Sequence, residues 1–199
     1  MSAVIAEKPT GLSIVARVTT VPHLVFGALP ILGYLLGGGI FHWLTPAVYL
    51  LLTIADPMVG NDETNHNPAD EQALEGRLFY RIMLWATVPL AFGVTIFGHW
   101  LLTQTALTGW EMAGFLISLT LATGFLATVA HELCHHYQPI DRTMGDLLFI
   151  PIFMCDFHVY HNFMHHTHVA TPNDPASARY GEKVYPFLIR SIIKKTQAA

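Results

Sequence analysis

The sequence predicts an all-α integral membrane protein: about four transmembrane helices followed by a cytosolic, histidine-rich helical region. Three observations carry this. Of 199 residues, 52% are hydrophobic and 12% charged, with a mean hydropathy of +0.42, whereas soluble domains carry roughly 25% charged residues. Segments 21–40, 43–60, 82–101 and 112–130 are apolar on nearly every face, and about 20 residues rising about 1.5 Å each cross the roughly 30 Å of bilayer hydrocarbon. If all four span, the ten Lys and Arg all fall on the side of the N-terminus, loop 61–81 and everything after 130. The excess of positive charge makes that side cytoplasmic.

Residues 1–20 form a short lead without the charged-then-apolar pattern of a cleaved signal. The first span contains Pro22 and Pro30 and ends in "GGG" at 37–39, a helix stop. The second ends near Asp56 and Pro57. The acidic segment "NDETNHNPADEQALE" from Asn61 to Glu75 is a cytosolic loop with a turn at "NP". Arg81 can snorkel at the entry to the third span, and "TALTGW" at 105–110 makes an outer turn with Trp110 at the interface. The fourth span runs without proline into "HELCHH" at 131–136, and Pro139 ends it.

Beyond it, 147–157 is apolar but too short to cross, which suggests a buried or re-entrant helix. "TPNDPASARYGE" is an ordered loop of turn formers, and the tail "YPFLIRSIIKK" has the mixed character of an interfacial helix. The chain, 1–199, reads as a single domain with the spans in 1–130 and the histidine region in 131–199. Net charge of −4 argues against nucleic-acid binding. Cys134 and Cys155, on the reducing side, are expected to be packing residues.

Eight of the twelve histidines lie between 131 and 168. His131 and His135, four apart, share one helical face and can grip one metal ion, and His161 and His165 repeat that spacing. His166 projects about 100° further around a helix and could reach a second ion. Two pairs and one offset ligand suggest a binuclear centre. Imidazole suits zinc, iron, copper and nickel alike, so the metal stays open. "HELCH" is also a literal H-E-x-x-H, in which zinc would be bound and Glu132 would be the catalytic base of a metalloprotease. That reading leaves most of the second cluster without a role. His136, His158 and His168 are possible additional ligands. His23 and His66 are expected to be solvated, and His42 and His99 interfacial.

"HELCHH" at 131–136, "HNFMHH" at 161–166 and "VATPNDPASARYGEKVYPFLIRSI" at 169–192 resemble the integral-membrane alkane 1-monooxygenases and the related xylene and cymene methyl hydroxylases, within the membrane fatty acid desaturase and hydroxylase superfamily. The resemblance implies a non-haem site of two iron ions at the cytosolic face of a bacterial inner membrane. It implies hydroxylation of a terminal methyl group of an alkane or alkyl-aromatic with O2, and electrons from a rubredoxin or ferredoxin-type donor with its reductase. By position, His131, His135, His161, His165 and His166 match the family's metal ligands, with Glu132 or Asp141 as candidate acceptors behind the rings. The chain departs from the pattern at His136, Tyr160 and Met164, where a basic residue, Glu and Gly are usual. Relatives continue into a third histidine box, so this chain is expected to be a C-terminally incomplete member, or one whose partner chain supplies further histidines. A non-catalytic metal-binding membrane subunit is the remaining alternative.

Overall fold

The computed structural model describes residues 21–60 and 78–198. The lead 1–20 and the acidic loop, with His66, lie outside the described residues. Every regular element described is helical: α1 (Pro22–Leu35), a 3-10 turn (Gly39–Trp43), α2 (Leu44–Val59), α3 (Leu78–Gln104), α4 (Gly109–Cys134), α5 (Pro139–Phe149), α6 (Phe157–Tyr160), a π turn (His161–His165), α7 (His166–His168) and α8 (Val184–Ala198). The chain divides between Leu126 and Ala127 into two compact units, and α4 contributes to both.

In the first unit, Gly39–Val59, α3 and α4 are each long and apolar enough to cross a membrane, at 21, 27 and 26 residues. The first expected span is shorter. Its helix has 14 residues, about 21 Å at about 1.5 Å per residue. The cause is the glycine run: Gly37, Gly38 and Gly39 all take positive φ, at 112°, 65° and 56°, which side-chain-bearing residues rarely adopt. The turn then folds back on Gly33, where a Cβ would run into the Phe41 carbonyl oxygen.

α1 packs on α3 and α2 around a core that includes Phe26, Leu29, Val94 and Leu101. Small residues allow close approaches between helices: a Cβ on Gly27 would lie 2.8 Å from Leu126, and one on Gly98 2.9 Å from Leu119. Outward faces carry Leu50, Leu51, Leu52, Ile54 and Ile96, all exposed, as lipid-facing surfaces do. An apolar groove of about 930 Å3 is lined by Val25, Phe26, Leu29, Tyr49, Leu52 and Phe79, among others.

α4 starts with a capping box the sequence reading passed over. The Thr108 N–H donates to Glu111 Oε2 (2.8 Å), and the Glu111 N–H donates back to Thr108 Oγ1 (3.3 Å). Two histidines differ from expectation. His23 is buried, its Nε2 3.4 Å from the Met83 carbonyl. His42 is 3% exposed rather than interfacial, because it packs edge-on to Phe115 while Ser118 Oγ holds its carbonyl at 2.6 Å.

The second unit begins with the last turns of α4. α5 starts at Pro139, where a missing N–H costs nothing, and packs back on α4 through Gly145, whose Cβ would sit 3.0 Å from the Ala130 carbonyl and 3.1 Å from Leu133 Cβ. The expected buried or re-entrant helix over 147–157 does not form as one element: α5 ends at Phe149, with Leu148 and Phe149 buried, and the chain turns through Phe153 at φ 57°. Cys134 is buried as a packing residue should be, but Cys155 is exposed, because it lies on that turn.

Candidate metal centre

The last residues of α4 and the following turn deliver His131 and His135, and the π turn delivers His161. The Asn162 side-chain amide donates to the Cys134 carbonyl at 3.1 Å, capping the end of α4 and tying the second histidine stretch to the first. His131 Nε2 lies 2.8 Å from His161 Nε2, His135 Nε2 lies 3.1 Å from the same atom, and the His131 and His135 Nε2 atoms are 3.4 Å apart. His166 Nε2 closes in from the other side, 3.0 Å from His161 Nε2.

His161 is therefore the hub. Its partner on its own segment is His166 and not the i,i+4 neighbour His165. The π turn is the reason. The His166 N–H bonds to the His161 carbonyl five residues back, so the wider turn brings i and i+5 together where an α-helix would bring i and i+4. His165 stacks beside His161, ring centroids 5.2 Å apart, and turns its Nδ1 to Asp174 Oδ2 at 2.9 Å.

His131, His135 and His161 form a group that could hold a metal ion. Nitrogen ligands about 2.0–2.1 Å from a metal lie about 2.9 Å apart when at right angles and about 3.4 Å apart at the tetrahedral angle, and the observed separations fall in that range. A neutral imidazole carries one N–H and one lone pair. The Nε2 atoms of His131, His135 and His161 facing one another this closely, with that of His166 against His161, oppose lone pairs unless a cation or protons lie between them. The donor set therefore fits a metal.

Electrostatics favour the ligating form. Burial, reinforced by His131, His166, His135 and His165, pushes the pKa of His161 down to about 4. Burial and the neighbouring imidazoles also lower that of His135, against the opposing pull of Glu132. Neutral imidazole is the form that binds metal. Between about pH 6.5 and about pH 4 the unfolded chain takes up a proton on His161 that the folded chain refuses, so folding stability is lost as pH falls through that window. Thermal unfolding of metal-free protein should show a midpoint that falls from pH 7 to pH 5, with a shallower fall in His161→Gln.

Behind the rings lie carboxylates. Asp174 is 1% exposed and accepts from Tyr160 Oη (3.0 Å), the Ala176 N–H (2.9 Å), Ser177 Oγ (2.6 Å) and His165 Nδ1. Burial alone would raise its pKa, but the hydrogen bonds from Ser177, Ala176, His165 and Tyr160 outweigh burial and hold it below the usual carboxylate value. The same bond pushes the Tyr160 hydroxyl, already raised by burial, up to about 12.

The other predicted residues are peripheral. Asp141, 1% exposed, bonds His136 Nδ1 at 3.2 Å. The Glu132 side chain is 64% exposed and faces His136 Nε2 at 3.7 Å. His158 pairs with Asp146 at 2.8 Å, and His168 Nδ1 lies 3.0 Å from the Met164 carbonyl. Sequence reasoning missed Asp174 and Asp146. The former was marked only by its place in the turn-rich "PNDPAS" stretch. Beside His161 and His165 lies a cavity of about 470 Å3 whose apolar wall includes Phe153, Phe157 and Ile192.

Residues 108–199 match the family described as Fatty acid desaturase. The chain is 34% identical over 170 residues to an alkane 1-monooxygenase of Pseudomonas putida, covering 83% of this chain and 42% of that protein. By sequence, most of the chain is similar to alkane 1-monooxygenases. It is also 35% identical over 150 residues to alkane 1-monooxygenase 2 of Pseudomonas aeruginosa (73% of this chain, 40% of the other), and 31% identical over 174 residues to alkane 1-monooxygenase 1 of Alcanivorax borkumensis (85% and 43%). The chain thus spans about two fifths of the length of these alkane 1-monooxygenases. The family match begins beside the capping box of α4 and includes both histidine stretches and the Asp174 loop.

Proposed function

We propose that this chain forms the membrane anchor and part of the metal centre of a non-haem diiron monooxygenase that hydroxylates a terminal methyl group of an alkane or alkyl-aromatic hydrocarbon. The reaction balances as R–CH3 + O2 + 2e− + 2H+ → R–CH2OH + H2O, with the electrons delivered from the cytoplasmic side by a reduced rubredoxin or ferredoxin-type protein. The observation that carries the reading is the convergence of Nε2 atoms from two separate segments on His161.

His131, His135, His161 and His166 would hold iron through Nε2, and His165 would join them with its tautomer set by Asp174. Two irons held there would supply the redox chemistry that O2 needs to attack an inert C–H bond. Five imidazoles leave positions open on two irons, and these fall to a partner chain or to further residues of a longer protein. The apolar groove of the first unit offers hydrocarbon a surface within the bilayer. The cavity beside His161 and His165 gives an alkyl end an apolar wall formed by Phe153, Phe157 and Ile192. The zinc-protease reading is weaker because Glu132 stands out toward solvent and His136 and not at the cluster.

The test supplies the detergent-purified protein, with any co-purifying partner, with iron, an alkane, O2 and reduced rubredoxin. A primary alcohol carrying oxygen from labelled O2, made only when iron is present, is the expected product. Peptide cleavage with bound zinc, lost on Glu132→Gln, would replace this reading with the protease.

A further inference from the structure

Asp174 reaches His165 from a loop, and turn residues alone do not hold a loop against a helix. Arg190 of α8 does so. Its Nε and one terminal nitrogen donate to the two oxygens of Glu182, both at 2.7 Å. The same terminal nitrogen donates to the Ser177 carbonyl at 3.0 Å, and the other to the Pro175 carbonyl at 3.3 Å. Glu182 Oε2 also accepts the Arg179 N–H at 2.9 Å. Arg190 and Glu182 are both largely shielded, at 15% and 13% side-chain exposure. One guanidinium thus fastens the chain at 175, 177 and 182, on the C-terminal side of Asp174. Only the planar fork of arginine fits this role, since a lysine is a point charge that cannot engage two carboxylate oxygens and two carbonyls together.

We propose that Arg190 is a positioning residue for the histidine cluster. Through Glu182 and the Pro175 and Ser177 carbonyls it holds the loop so that Asp174 keeps His165 in its Nδ1–H tautomer, with the Nε2 lone pair presented to metal. The proposal rests on the reading of His165 as a ligand. It makes the C-terminal helix part of the centre, although none of its residues need touch the metal.

Arg190→Lys and Glu182→Gln, with Asp174→Asn for comparison, are made in the full chain and titrated with Co2+. Nitrogen-15 spectra of the metal-free proteins report the His165 tautomer. Each variant should bind Co2+ about 10- to 100-fold more weakly, with an altered visible spectrum and a reduced His165 Nδ1–H population. Adding Asp174→Asn to either should cost little more, because the two act along one path. Variants that unfold at lower temperature yet keep the Co2+ affinity, the spectrum and the His165 tautomer of the parent would show a merely structural clamp and overturn the proposal. A parent protein that fails to bind Co2+ would instead overturn the metal reading, and the tautomer spectra would then decide the role of Arg190 alone.

Discussion

His161→Ala should abolish metal binding by the purified protein while leaving its helical fold in place. Three other imidazole nitrogens lie within 3.1 Å of His161 Nε2, so no other substitution removes as many neighbours from the cluster. Changing a residue that merely orients a ligand costs about 10- to 100-fold in metal affinity, so removing the shared ligand should cost more than about 100-fold. The fold should survive because His161 is buried neutral. Its loss removes the stack on Phe157, with ring centroids 4.9 Å apart, but strands no charge. His168→Ala, at a half-buried side chain bonded only to local groups, is the control and should stay within about twofold. Fe2+ or Co2+ titration with circular dichroism of the same samples reads both effects.

Asp174→Asn should produce the second largest change, and it should act on stability and metal affinity together. The carboxylate accepts from four donors in a site closed to water. An amide turns its NH2 toward some of those donors and leaves them unsatisfied, at about 1–3 kcal/mol for each buried group so stranded. Loss of stability on the order of 3 kcal/mol is expected by denaturant or thermal unfolding in detergent. His165, without its acceptor, is free to take the other tautomer, which points an N–H where a lone pair is required. Metal affinity should therefore fall about 10- to 100-fold. Glu132→Gln, at an exposed side chain, should change neither quantity.

These two residues also mark how far the sequence could be read. His161 was legible because apolar run length sets the spans, and the spacing of "HELCHH" and "HNFMHH" sets two ligand-bearing segments. His166 was legible as a ligand too, but its pairing with His161 was not. The reading assumed an α-helical period through 161–166, and the π turn replaces His165 with His166 at the hub, a change that no periodicity announces. Asp174 was hidden for a different reason. It reaches His165 from nine residues further along, through a loop whose path depends on Arg190 and on the Asp174 side chain capping the Ala176 N–H, and loops carry no repeating pattern. The length of α1 followed the same rule: hydropathy extended it to residue 40, while the backbone of three consecutive glycines stopped it at Leu35.

X-ray absorption at the metal edge of iron-loaded protein tests the shared centre most directly. A first shell dominated by imidazole nitrogen, a metal–metal distance of about 3.5–4 Å as in two-metal sites, and loss of that distance in both His135→Ala and His161→Ala are the expected results. A single metal whose shell is unchanged when His161 is removed would show that the two histidine stretches do not share a site.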